Sequence, residues 1–119
     1  MFRPRHLAVI VSSLSLITAA YAQTAAVDAN PTSRPSAQVV KIDNFSFDPP
    51  TLTVSRGATV TWINRDDVPH TATSSASPRA FDSKALDTDE RFSFVFTKPG
   101  TYSYFCAVHP HMTATIVVK

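Results

Sequence analysis

The sequence predicts an all-β domain, a sandwich or a barrel, and three observations carry that reading. Apolar and polar residues alternate with a period of two in several short runs, as half-buried strands require. Turn residues such as Arg56-Gly57 and Lys98-Pro99-Gly100 separate those runs. After residue 22, no stretch of ten residues keeps a helical apolar stripe.

The elements follow in order. Val39-Val40-Lys41-Ile42 reads as a first strand. Phe45 and Phe47 then alternate with polar residues until Pro49-Pro50 stops the run. Leu52 and Val54 alternate with threonine before the Arg56-Gly57 turn. From Thr59 to Asn64, Val60 and Trp62 share one face and Thr59 and Thr61 the other. Residues 71–91 are the least regular, a loop with a short strand. Phe92, Phe94 and Phe96 alternate with Ser93, Val95 and Thr97. Tyr102, Tyr104 and Cys106 share the parity of the next strand, and Ala114, Ile116 and Val118 that of the last. No internal repeat is visible.

The 119 residues divide into three parts. Residues 1–22 read as a secretory signal peptide: Arg3 and Arg5 precede an apolar stretch, Leu7 to Ala20, and Ala20-Tyr21-Ala22 fits the small-residue cleavage pattern. That stretch is shorter than the roughly 20 apolar residues of a membrane anchor. Residues 23–36 hold small and polar residues and two prolines, the composition of a flexible leader. Residues 37–119 form one small domain. The export signal places the mature protein in the periplasm, free of the membrane and, on this reading, monomeric. Without Arg3 and Arg5, the 11 basic residues become nine against nine acidic ones, and the net charge of +2 disappears. No basic stripe remains to bind nucleic acid.

An exported chain with one cysteine is unusual, because a lone thiol in an oxidising compartment pairs between molecules, oxidises or is protected by a metal. Cys106 stands in the stretch Y-F-C-A-V-H-P-H-M with His109, His111 and Met112. Cys106-x-x-His109-x-x-Met112 places a thiolate, an imidazole and a thioether on one short loop between two strands, stiffened by Pro110. Two histidines and a cysteine in a plane with a weak axial methionine make a blue-copper site. The second histidine would be His70, after Pro69 at the end of the Trp62 strand. Other readings stay open here: Met112 as core filler, and a zinc site in which His111 joins His70, Cys106 and His109. Asp66-Asp67 and the Asp87, Asp89, Glu90 cluster read as turn carboxylates on a solvated surface. The serines lack a nucleophile motif, and there is no Gly-rich phosphate loop.

The stretches G-A-T-V-T-W-I-N-R-D-D-V-P-H-T, F-D-S, F-T-K-P-G-T-Y-S-Y-F-C and C-A-V-H-P-H-M resemble those of the cupredoxin family of small blue copper proteins, in particular the amicyanin and plastocyanin-like members. The short C-x-x-H-P-x-M spacing is of the amicyanin type. The resemblance covers residues 37–119. It implies a Greek-key β-sandwich and one copper on His70, Cys106, His109 and Met112, cycling between Cu(I) and Cu(II), with His111 outside the coordination sphere. It also implies electron transfer with redox protein partners, such as a periplasmic dehydrogenase or a c-type cytochrome, rather than enzyme activity. A periplasmic copper carrier or buffer would use the same ligands. Two positions depart from the family pattern: Thr71 stands where an asparagine often tethers the cysteine loop, and Ala107 where serine or threonine often follows the cysteine. The resemblance therefore implies a tether that is weakened or replaced.

Overall fold

The computed structural model describes residues 37–119; the signal peptide and leader read in the sequence lie outside them. Eight strands run in order: β1 (Ala37–Asp43), β2 (Ser46–Asp48), β3 (Thr51–Val54), β4 (Thr59–Asn64), β5 (Thr73–Ser74), β6 (Arg91–Val95), β7 (Gly100–Phe105) and β8 (Thr113–Val118). They form two four-stranded sheets, β2-β1-β4-β6 and β3-β8-β7-β5. β1 runs parallel to β4 and β3 parallel to β8, while the other pairs are antiparallel. The chain therefore crosses between sheets instead of meandering within one, as a Greek-key sandwich does.

Alternation decides what lies between the sheets. Val40 and Ile42 of β1, Val60 and Trp62 of β4, Tyr104 of β7 and Ile116 of β8 are all buried. Trp62 sits at the centre, stacked on Phe81 with ring centroids 5.1 Å apart and edge-on to Tyr104 at 5.5 Å. Phe92 and Phe96 lie beside it at 5.8 and 6.4 Å. Aromatic pairs at such distances add to the stabilisation from buried area.

Phe45 departs from the alternation expected in the sequence. It is not on a strand: the β1–β2 turn puts Asn44 and Phe45 in the left-handed region, with φ of 48° and 57°. Phe47 is buried and Phe45 is 47% exposed. A bulky residue seldom takes this conformation, so the surroundings must hold it there.

The long connection between β5 and β6 is irregular yet tied down. Ser74 N donates to Phe81 O, Ser83 N to Ala72 O, and Ala72 N to Ser83 Oγ. Asp82 accepts from Lys84 N at 3.0 Å, Lys84 Nζ at 3.2 Å and an Arg79 Nη at 3.1 Å. Partial burial pushes the Asp82 carboxyl up, but the Lys84 N–H, the Lys84 ammonium and the Arg79 guanidinium together hold it below its ordinary value.

Two expectations follow. Trp62→Ala empties the centre of the core and lowers stability by about 3–5 kcal/mol, measured as a fall in the urea midpoint. Asp82 stabilises the fold fully above its unfolded pKa of about 4, and loses that contribution as pH falls through the lower folded value. The deficit of Asp82→Asn relative to wild type should thus shrink between pH 7 and pH 3 in thermal melts; equal deficits at both would contradict this.

Candidate metal centre

The β4 strand ends at a residue that organises everything after it. Asn64 is fully buried, and both ends of its side-chain amide are used. Nδ2 donates to Val68 O at 2.9 Å and Leu86 O at 2.8 Å, while Oδ1 accepts from Asp66 N at 2.9 Å. Its backbone N–H donates to Glu90 O and its carbonyl accepts from Asp89 N. Residues 64–70 are thereby folded into a compact turn that delivers His70 to the end of the sandwich. His70 and Leu86 exchange backbone hydrogen bonds, N to O in both directions, which fixes the histidine's main chain.

The His70 ring is held as well. Its Nε2 lies 2.9 Å from Asp66 Oδ2. A carboxylate only accepts, so Nε2 carries a proton, and in the neutral ring that metal binding requires Nδ1 keeps its lone pair. The same Asp66 oxygen accepts from Phe45 N at 3.1 Å. Hydrogen bonds from His70, then from Phe45, lower the Asp66 carboxyl below its ordinary value. Asp66 is thus no solvated turn carboxylate, as its position in Asn-Arg-Asp-Asp suggests; it is only 9% exposed and holds two functional segments together. Asp67, Asp87, Asp89 and Glu90 are exposed as expected. The Phe45 ring, anchored through this bond, packs edge-on against both His70 and His109, with centroids 5.4 and 5.0 Å away.

The second segment is the loop between β7 and β8. Cys106 N donates to Met112 O at 3.0 Å, so the ladder extends one rung beyond the Phe105–Thr113 pair. Inside that rung, His109 N donates to Cys106 O at 3.2 Å and Met112 N to His109 O at 2.9 Å. Two successive turns compress the loop. Cys106 and Met112 are buried, His109 is half-buried, and His111 is exposed.

These segments bring three donors together. Cys106 Sγ lies 3.6 Å from His70 Nδ1 and 3.7 Å from His109 Nδ1. Among the described residues, His70, Cys106 and His109 are one group with all donor atoms within 4.8 Å of one another. Donors set about 2.0–2.3 Å from a common centre in a plane stand about 3.5–4 Å apart, so the residues present fit a three-coordinate metal. Thr71 N donates to Cys106 Sγ at 3.3 Å, which compensates negative charge on a bound thiolate. A thiolate and two imidazoles in one plane suit a copper ion. Met112, the fourth residue read in the sequence, is packed in the same buried cluster as Cys106. His111 stands outside the converging donors.

Of the two outcomes expected for the tether, weakened or replaced, the structure shows replacement. Thr71 Oγ1 accepts from Ala107 N at 2.7 Å, spanning the two ligand segments where the family often uses asparagine. Sequence reasoning missed Asp66 and Phe45 as parts of the site. The spacing of Asp66 four residues before His70 across a turn is the only signal that could have found the first.

Removing the Asp66 carboxylate should release both of its partners. Asp66→Ala is expected to lower the thermal midpoint of the copper-free protein and to let the His70 ring protonate at either nitrogen, read from imidazole nitrogen shifts by NMR. An unchanged Nε2–H tautomer would contradict the assignment.

Comparison with known proteins places the chain in a copper-binding family. Residues 36–119 match the family described as copper binding proteins, plastocyanin/azurin family. The amicyanin of Paracoccus denitrificans is 37% identical over 84 residues, covering 68% of this chain and 64% of that protein, which is under two thirds of its length. Amicyanin-alpha of Methylorubrum extorquens is 32% identical over 83 residues, covering 67% and 70%. A solved structure of an oxidised amicyanin variant is 36% identical with a TM-score of 0.66, covering 70% of this chain and 82% of that one.

Proposed function

Because the chain belongs to the plastocyanin/azurin family of copper binding proteins and is a small blue copper protein with a cupredoxin sandwich, we propose that it carries single electrons between redox proteins of the periplasm. The single observation behind this reading is the convergence of His70 Nδ1, Cys106 Sγ and His109 Nδ1 in a largely buried site. His70, Cys106 and His109 would hold the copper, and Met112 would offer a thioether from the same loop. Export to the periplasm rests on the sequence of residues 1–22.

When bound, copper supplies a one-electron couple between Cu(I) and Cu(II). The chain's own residues hold the donors where they are needed. Asp66 sets the tautomer of His70, Thr71 ties the two ligand segments, and the rung between Cys106 and Met112 closes the loop. Donors fixed by their surroundings rearrange little between oxidation states, which keeps the barrier to exchange low. Burial of Cys106 keeps the thiol from the oxidative chemistry open to an exposed one.

His109 is the half-buried ligand, flanked by two exposed apolar side chains: Phe45 against its ring and Val108 next to it in sequence, 47% and 51% exposed. An electron leaving through the His109 edge meets an apolar rim, suited to brief docking with a redox protein. A protein serving only to carry copper has no need of fast exchange, so self-exchange kinetics separate the two roles.

Copper-loaded protein should show an intense visible charge-transfer band from the thiolate, and Cys106→Ser should abolish it. A colourless Cu(II) protein would overturn the reading. Slow self-exchange in a fully formed blue site would transfer the assignment to copper carriage.

A further inference from the structure

The bond from Ala107 N to Thr71 Oγ1 raises a question of proton accounting. The Thr71 hydroxyl accepts from Ala107 and still has one proton to give. An asparagine at this position would bridge with an amide that both accepts and donates. A threonine hydroxyl has a single donor, and Ala107 offers no side-chain acceptor. The proton must go elsewhere.

It goes inward to the first residue of β5. Thr71 Oγ1 stands 2.8 Å from Thr73 Oγ1, and both residues are buried. Thr73 Oγ1 in turn donates to Asp82 Oδ1 at 3.3 Å. A carboxylate accepts only, so the direction of the whole series is determined: Ala107 N–H to Thr71, Thr71 O–H to Thr73, Thr73 O–H to Asp82. Each hydroxyl accepts once and donates once. Asp82 is itself fixed by Lys84 and Arg79, and its main chain pairs with Thr73 as an isolated bridge.

We propose that Thr71, Thr73 and Asp82 form a directional hydroxyl relay that positions the Cys106 loop, with Thr73 and Asp82 acting as positioning residues for the electron transfer proposed above. Thr71 touches the Cys106 loop twice, through its N–H to the Cys106 sulfur and through its hydroxyl, which accepts from Ala107 N. Its side-chain rotamer decides whether the second contact exists. Thr73 selects that rotamer by accepting the hydroxyl proton, and Asp82 orients Thr73. A carboxylate on the β5–β6 connection thus acts on the thiolate loop without contacting it. Relays of this type strengthen as a unit and weaken as one.

The inference rests on the electron-transfer reading, and its test separates the two. Thr73→Val keeps shape and removes the hydroxyl; Thr73→Ser restores it; Asp82→Ala removes the terminal acceptor, and its stability loss is read separately from the unfolding midpoint. Hydrogen exchange of the Ala107 amide is followed by NMR in the reduced and copper-free proteins, alongside the visible spectrum and reduction potential of the loaded protein. Thr73→Val should speed Ala107 exchange about tenfold, the loss of one hydrogen bond, and change the charge-transfer spectrum. Thr73→Ser should recover both, and Asp82→Ala should shift both in the direction of Thr73→Val. Wild-type Ala107 protection and spectrum in Thr73→Val, with only a lower unfolding midpoint, would overturn the relay. If the wild-type protein forms no blue site, the electron-transfer reading fails, while Ala107 exchange in the copper-free protein still decides whether the relay exists.

Discussion

Irregular chain buried at the end of a sandwich must find partners for its own N–H and C=O groups, and this constraint governs the structure around the metal centre. Strands satisfy each other through ladders. The segments at residues 64–72 and 106–112 do so only in part, through the His70–Leu86 bridge and the Cys106–Met112 rung, because ligands must leave the ladder to converge. Side chains substitute for the missing ladder. Asn64 uses both ends of its amide for residues 66, 68 and 86. Ser83 takes the Ala72 N–H, and Thr71 takes the Ala107 N–H. With those partners in place the His70 and Cys106 segments have little freedom left.

The same economy links a conformational cost to a chemical gain. Phe45 adopts a left-handed backbone, which costs on the order of 1–3 kcal/mol for a residue of its type. The Asp66 carboxylate offsets part of that cost by accepting the Phe45 N–H. The oxygen that does so also sets the tautomer of His70. One acceptor therefore couples the β1–β2 turn to a metal ligand, and the Phe45 ring covers both histidines as a result.

Period-two alternation made the strands legible, because Val40, Ile42, Val60, Trp62, Ile116 and Val118 obey the pleat without exception. The Cys106, His109 and Met112 spacing was legible because three ligands lie on one local loop. His70 could be joined to them only because so few histidines were available. What stayed hidden depends on contacts between segments far apart in sequence. Asp66 and Phe45 are 21 residues apart, and no local pattern announces their bond. Thr71 was visible as a departure from the family pattern, yet its reach to Ala107, 36 residues on, is a property of the assembled sandwich. Phe45 was misread for a related reason: its polar and apolar neighbours mimic a strand, while the turn geometry takes it out of register.

The rung between Cys106 and Met112 carries a consequence for how such a site can diversify. Because the strands are already zipped at both feet of the loop, residues 107–111 span a gap of fixed width, with Ala107 tied back to Thr71. Exchanges at Val108, Pro110 and His111 fall outside the anchor pair and the sheet register. His109 is then the only histidine whose approach to the centre is adjusted by such changes, since His70 is delivered by a separate segment. The scaffold thus offers evolution, or a protein engineer, one port at which ligand geometry and docking rim vary together while the remainder of the coordination frame stays constant.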